Sequence, residues 1–230
     1  MFVQKIAYFL ISSLLLCFPR GVQAQATAQG GYTLDFDGTE DYVQVDYNAA
    51  LNPSNFTIEA WAKVEGGSGT FRSVITSRKG GNPSQGFMLY AASDNTWQFW
   101  TGDGGDGTWD NTLSGVTVVN EWTHIAASFD GTSVRLYING ELKATTASVY
   151  IPNAIQPLRI GAGATEGAPL FFFPGKIDEV RIWSSVRSLS EIQANMHKSL
   201  TGSESNLAAY YNMSNGNGTT LTDNSTNSYD

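Results

Sequence analysis

The chain has 230 residues and carries 21 acidic against 13 basic side chains, a formal charge of −8. An acidic chain of this length can bury a full core but offers no basic surface, so nucleic acid is excluded as a partner. Two histidines and a single cysteine supply neither a zinc site nor a disulfide.

Residues 1–24 read as a secretory signal. Lys5 precedes an apolar run through Leu16, and Val22-Gln23-Ala24 forms a small-residue cleavage site. A rival reading makes Cys17 a lipidated first residue, but such signals want a small residue before the cysteine and this chain has Leu16. Cleavage would remove Lys5 and Arg20, two of the 13 basic residues, and take the formal charge from −8 to about −10. No other run reaches the roughly 18 apolar residues a spanning helix needs, so the expectation is a secreted or cell-surface protein with no transmembrane segment.

After a linker at 25–30, short apolar alternations recur: Leu34 and Phe36, Val43 and Val45, Phe56 through Val64, Phe87 and Leu89, Trp97 and Phe99. Period two with Gly, Asn and Asp at the breaks predicts an all-β sandwich of about a dozen strands. Trp122 to Leu142 is the clearest stretch, a meander broken at Asp130-Gly131 and Asn139-Gly140. A two-residue Asp-Gly turn would pair Ala127 with Val134, Ile125 with Leu136 and His124 with Tyr137, keeping the apolar residues on one face. The second turn predicts a three-residue or bulged connection, with Gly140 or its neighbour at positive φ, because a two-residue link would set Ile138 against Glu141.

Leu189 to Leu200 predicts one helix: Ser188 and Glu191 form a capping-box pair, and Leu189, Ile192, Met196 and Leu200 make one stripe, expected on an outer sheet edge. Residues 207–213 read as a last strand. The polar stretch 214–230 reads as linker, leading on to a further domain.

Five motifs in order carry a family resemblance: LDFDGTEDYVQV (34–45), FTIEAWAKV (56–64), the meander, PLRIGAG (157–163) and GKIDEVRIW (175–183). Over residues 31–213 the chain resembles a laminin G-type jelly-roll domain of the concanavalin A-like lectin and glucanase superfamily. The resemblance implies a two-sheet jelly-roll sandwich with one short C-terminal helix, and a superfamily that includes lectins, glycosidases and adhesion modules. It does not choose among them.

Asp178 shares its expected strand face with Val180 and Ile182, and a buried carboxylate there requires amides, an arginine or a hard cation. The resemblance implies a structural calcium joining the first and last strands, with Asp37 and the Gly38 carbonyl as partners from the N-terminal side. The laminarinase-type glycosidases of the superfamily carry Glu-x-Asp-x-x-Glu, and this chain lacks it. Glu59 has no aspartate two residues on, and Glu179 follows its aspartate. No catalytic residue is assigned.

The loop from Gly102 to Asn111 holds Asp103, Asp106 and Asp110 among four glycines, a mobile polar loop or a cation loop. Trp109 within it is hard to place in a core and suits stacking on a sugar face. Trp100 opposes the core-facing Trp97 and Phe99, so it lines a cleft or packs beneath a loop. The ligand-site expectation is Trp109, Trp100, Asp106, Asp110 and Tyr137; Tyr137 joins His124 and Arg135 on the non-core face of the meander. Phe171-Phe172-Phe173 cannot all face one core, so at least one covers a seam or meets a partner. These features predict a non-catalytic module that binds a glycan or an extracellular protein, with a structural or adhesion spacer as alternative and a glycosidase as the remote one.

Overall fold

The computed structural model describes residues 32–214 and 219–230; the leader, the linker and Gly31 lie outside the described residues. In chain order the strands are β1 (Leu34–Asp37), β2 (Val43–Val45), β3 (Phe56–Val64), β4 (Arg72–Lys79), β5 (Gln85–Ala91), β6 (Thr96–Gly102) and β7 (Trp109–Thr117). Then follow β8 (Thr123–Phe129), β9 (Ser133–Ile138), β10 (Glu141–Ala147), β11 (Leu158–Ile160), β12 (Pro174–Trp183), helix α1 (Leu189–Asn195) and β13 (Leu207–Tyr211).

Two antiparallel sheets stack face to face, as the alternation of apolar residues requires. One runs β1-β12-β3-β8-β9-β10, with β13 also on β12; the other runs β2-β11-β4-β5-β6-β7. Their inner faces meet around Phe56, whose ring lies 5.8 Å from Phe87, Phe99 and Phe129 and 5.0 Å from Tyr150. Fully burying each such side chain is worth about 2–3 kcal/mol.

Both turns of the meander differ from the spacing argument. Phe129 pairs with Val134, Ala127 with Leu136 and Ala126 with Tyr137, leaving Asp130 to Ser133 as a four-residue connection. A shift of two residues keeps every side chain on its face, so the apolar pattern cannot distinguish the two registers. The longer turn is held by Asp130, which accepts from the amides of Thr132 (3.0 Å) and Ser133 (2.9 Å) and from Arg135 (2.7 Å). The second turn has the expected positive φ, at both Asn139 (50°) and Gly140 (71°), but it is a two-residue link that pairs Glu141 with Ile138. The extra residue enters later, as a bulge between Leu142 and Ala144 that restores Ala144 opposite Leu136.

The capping box forms as expected, but the helix stops at Asn195 instead of Leu200 and sits on the outer face of the seven-stranded sheet, not on an edge. Its last carbonyls are taken by the sheet: Trp61 Nε1 donates to Met196 (2.7 Å), and Arg181 donates to Asn195 (3.1 Å) and Lys198 (2.6 Å). The Asn195 carbonyl also accepts from the Lys198 amide (2.9 Å), so the helix ends in one tighter turn anchored to the sheet. Ile192 packs on Ala126 and Tyr137.

The segment expected to be linker docks, in its described part, along β13. Asp223 is buried and accepts from the amides of Tyr210 (2.9 Å), Ser225 (2.8 Å) and Tyr229 (2.9 Å), while Tyr211 donates to the Tyr229 carbonyl. A polar composition hid this because the docking runs mainly through backbone groups and the polar side chains of Asp223, Ser225 and Asn227, with Leu221 and Tyr229 alone packing on the core.

Candidate binding face

The two sheets have very different outer faces. On the seven-stranded sheet, strand alternation sends Glu59, Trp61, His124, Tyr137 and Arg181 outward, and all are buried beneath α1 and the segment after it. Glu59 Oε1 accepts from Trp183 Nε1 (2.6 Å), and Oε2 lies 3.2 Å from His124 Nε2. Burial pushes Glu59 upward, but His124, Arg181 and Trp183 outweigh it and hold its carboxyl below the ordinary value. Arg181 donates to Glu179, which also accepts from the Tyr210 hydroxyl. Tyr137 is only 4% exposed. It was expected at a ligand site; instead it floors the helix, on the side of the molecule opposite the two tryptophans.

The outer face of the six-stranded sheet is built differently. One cross-strand row runs Gln44, Arg159, Thr76, Met88, Trp100, Asn111. Its middle is roofed by the loop between β11 and β12, which Arg159 holds by donating to the carbonyls of Ala164 (2.9 Å) and Gly167 (3.0 Å) while its Nε bonds Gln44 (3.0 Å). Phe71, Tyr90, Trp100 and Phe171 meet edge to face at 5.3–6.1 Å and form the wall of that roof. Beyond the wall β6 and β7 form a shelf, with Trp100 and Trp109 half-buried on it and Asn111 and Leu113 exposed.

Trp100 and Trp109 share one apolar cluster with Met88 and Tyr90. Trp100 is oriented by its Nε1–H, which donates to Gln98 Oε1 (2.9 Å), and Gln98 in turn donates to Asp94 (2.9 Å). The Arg78 guanidinium lies 5.1 Å from the Trp109 ring centre and is gripped on its other side by Glu166, with Nε to Oε2 at 3.1 Å. Burial pushes the Tyr90 phenol up to about 12, so it stays neutral.

The aspartates of the preceding loop mostly hold the loop itself. Asp103 accepts from the Gly105 amide (2.8 Å), the Thr108 hydroxyl (2.7 Å) and Ser84 (3.2 Å), which lower its pKa, Thr108 first. Asp110 faces inward opposite Thr101 and caps the Val149 amide at 2.6 Å. Asp106 is exposed in the turn, three residues before Trp109. The structure therefore joins Trp100 and Trp109, leaves Asp106 exposed in the turn that leads to Trp109, and turns Asp110 to a structural task. Arg78 and Glu166 were missed: 88 residues separate them, and a lone Arg or Glu carries no pattern.

The three residues expected to hold calcium do not fit a joint site. Asp37 pairs with Pro174, while Asp178 lies four residues farther along β12. Asp37 Oδ1 accepts from the amides of Thr39 (2.7 Å), Glu40 (2.9 Å) and Asp41 (3.2 Å), and its carboxyl is held far below the usual range, by the Thr39 hydroxyl first. Gly38, at φ 76°, makes that turn possible, since a Cβ there would sit 2.7 Å from the Pro174 side chain. Asp178 does not share a face with Val180 and Ile182. A bulge, with Glu179 at φ 53°, puts Ile177, Val180 and Ile182 in the core and Asp178 outward beside Trp61. Its partner is the Glu179 amide (2.8 Å), and burial, aided by the Glu179 charge, pushes its pKa up to about 7. Among the described residues no group of three His, Cys, Asp or Glu is arranged to hold a metal.

The three phenylalanines go three ways. Phe173 enters the core against Phe36, Phe172 meets Tyr42, and Phe171, 36% exposed at φ 56°, joins the aromatic wall. A groove of about 620 Å³ also lies between β1, β2 and Thr219–Leu221.

Fold and faces together define a two-sheet jelly-roll domain with one sheet capped and one open. The chain belongs to the laminin G-type branch of the concanavalin A-like lectin/glucanases superfamily, whose family model matches residues 37–193. Similar solved structures include a candidate carbohydrate-binding protein from Bacteroides ovatus, 21% identical, TM-score 0.62, covering 84% of this chain and 54% of that one. This chain thus spans about half of that protein's length. The CBM40 of the Ruminococcus gnavus IT-sialidase, bound to α2,3-sialyllactose, is 18% identical with TM-score 0.56, covering 71% and 96%. Domain 4 of AbnA, an extracellular GH43 arabinanase of Geobacillus stearothermophilus in complex with arabinotriose, is 20% identical with TM-score 0.52, covering 71% and 86%. No curated protein sequence matches the chain. At these identities the likeness shows the fold.

Proposed function

We propose that this domain is a non-catalytic recognition module that binds glycans on the β6–β7 shelf, with Trp100 and Trp109 as the stacking platform. The observation that carries this is the pair of half-exposed tryptophans on the one sheet face that no helix covers. A tryptophan left at a surface offers a flat apolar area to the C–H face of a sugar ring, while flanking polar groups read hydroxyls. Two solved structures of the same fold support it, since the ligands bound to them, α2,3-sialyllactose and arabinotriose, are oligosaccharides.

The non-catalytic reading rests on where the carboxylates lie. Glu59, Asp178 and Glu179 are sealed beneath the helix, and near the shelf Asp103 and Asp110 are tied to backbone amides and Glu166 to Arg78, which leaves Asp106 as the exposed carboxylate there and, among the described residues, no second one to pair with it. A glycosidase needs two carboxyls flanking a bound sugar, so reducing ends should not appear when the chain is incubated with β-glucans. Export, read from residues 1–24, places the module where glycans are met. We also propose that calcium is not required for folding, because the Asp37 carboxylate is spent on its own turn and Asp178 lies four residues along β12 on the outer face, beside Trp61.

Trp109→Ala tests the binding reading. Glycan affinity should drop at least roughly tenfold, the scale of one lost stacking contact, while the unfolding midpoint stays near wild type because the side chain sits on an edge strand. Unchanged binding would place the ligand elsewhere.

A further inference from the structure

We propose that the shelf selects neutral, hydroxyl-bearing glycans over carboxylated or sulfated ones, with the Arg78–Glu166 pair as the specificity-determining element. This rests on the glycan-binding reading above and adds the chemical class of the ligand.

Arg78 is the cation presented beside Trp109, and its charge is already matched: Glu166 grips the guanidinium in two places, and Met88 Sδ lies 3.5 Å from Nη1. Other nearby cations are spent. Arg159 is buried, with its donors on Gln44 and the carbonyls of the roof loop. Lys79 turns to the Pro83 carbonyl (3.0 Å) at the end of β4. Around the tryptophans the remaining charges are negative: Asp94 behind Trp100 through Gln98, and Asp103 and Asp106 in the turn that leads to Trp109.

A carboxylate or sulfate on a stacked sugar would shed water here without gaining an unmatched cation, and would face these aspartates. A hydroxyl meets no such cost. It donates to Glu166 and accepts from Arg78 at once, so a guanidinium–carboxylate pair stacked against a tryptophan suits the edge of a neutral sugar. The roof loop fixes the pair in place: Thr165 Oγ1 accepts from the Arg78 amide (2.9 Å) and donates back to the Arg78 carbonyl.

The test is an array of matched glycans, each neutral oligosaccharide beside its sialylated or sulfated form, probed with the full chain and with Glu166→Gln. Wild type should bind neutral members and hold their acidic partners at least roughly tenfold more weakly. Glu166→Gln keeps a hydrogen-bonding partner for Arg78 but unmasks its charge, so the acidic-to-neutral ratio should rise several-fold, and Asp106→Asn should move it the same way by less. A merely structural role for Glu166 would weaken both classes alike. Wild-type preference for acidic glycans, or an unmoved ratio in Glu166→Gln, overturns the selectivity and leaves the shelf standing as the site. Silence across the whole array overturns the binding reading and this inference with it.

Discussion

The two outer faces come from the same alternation rule and meet opposite fates. On the seven-stranded sheet the outward row holds Glu59, Trp61, His124, Tyr137 and Arg181, and a helix seals it; on the six-stranded sheet it holds Met88, Trp100 and Asn111, and half of it stays open. Covered polar groups must find partners within the protein, so the first face became a buried charge network, with His124 Nδ1 and Arg181 Nε left unpaired within it. The second needed none, and kept its aromatic rings available. Period two tells which residues leave the core; only what packs above tells what they do.

The largest effect should come from breaking the sealed face. Arg181→Met strands Glu59 and Glu179 in a buried site and frees the helix-end carbonyls, at a cost of about 3–5 kcal/mol. Urea unfolding would read this, and a change under 1 kcal/mol would mean that the network does not depend on Arg181. The open face should respond differently: Trp109→Ala, on the edge strand, costs binding and less stability than Arg181→Met, while Trp100→Ala costs binding and also loosens the wall of Phe71 and Tyr90.

Asp178 gives a smaller, signed effect. Its pKa rises from 3.8 to about 7 on folding, so between those values the native state holds a proton that the unfolded chain has lost. Stability therefore falls as pH rises through this window and levels off above it, by about 2 kcal/mol after allowance for relaxation. Asp178→Asn should flatten that slope and unfold later than wild type at pH 8; an unchanged profile would show that Asp178 stays ionised. The smallest expected effect is calcium's. Thermal unfolding with calcium and with chelator should coincide, and a rise of several degrees would show a cation site where the Asp37 turn and the Asp178 bulge argue against one.

Much of this fold was legible in the sequence because apolar alternation, Asp-Gly and Asn-Gly breaks and the Ser188–Glu191 box are local signals. Register was less so, since a two-residue slip at Asp130 leaves every face unchanged. The bulge at Glu179 was invisible, and it alone moved Asp178 from the core face to the outer one. Trp100 and Trp109 could be singled out because each conflicts with a purely buried role. Tyr137 was misassigned because nothing in the meander reveals that Ile192, far along the chain, will cover it. Arg78 and Glu166 come together only through tertiary structure.

The central claim is that ligand binding belongs to the open face. Isothermal titration of the tightest array glycan into the full chain and into the Trp100→Ala/Trp109→Ala double variant tests it most directly. Saturable binding by the first and none by the second, with both still folded at the titration temperature by circular dichroism, is the predicted result; equal binding by the two would contradict it.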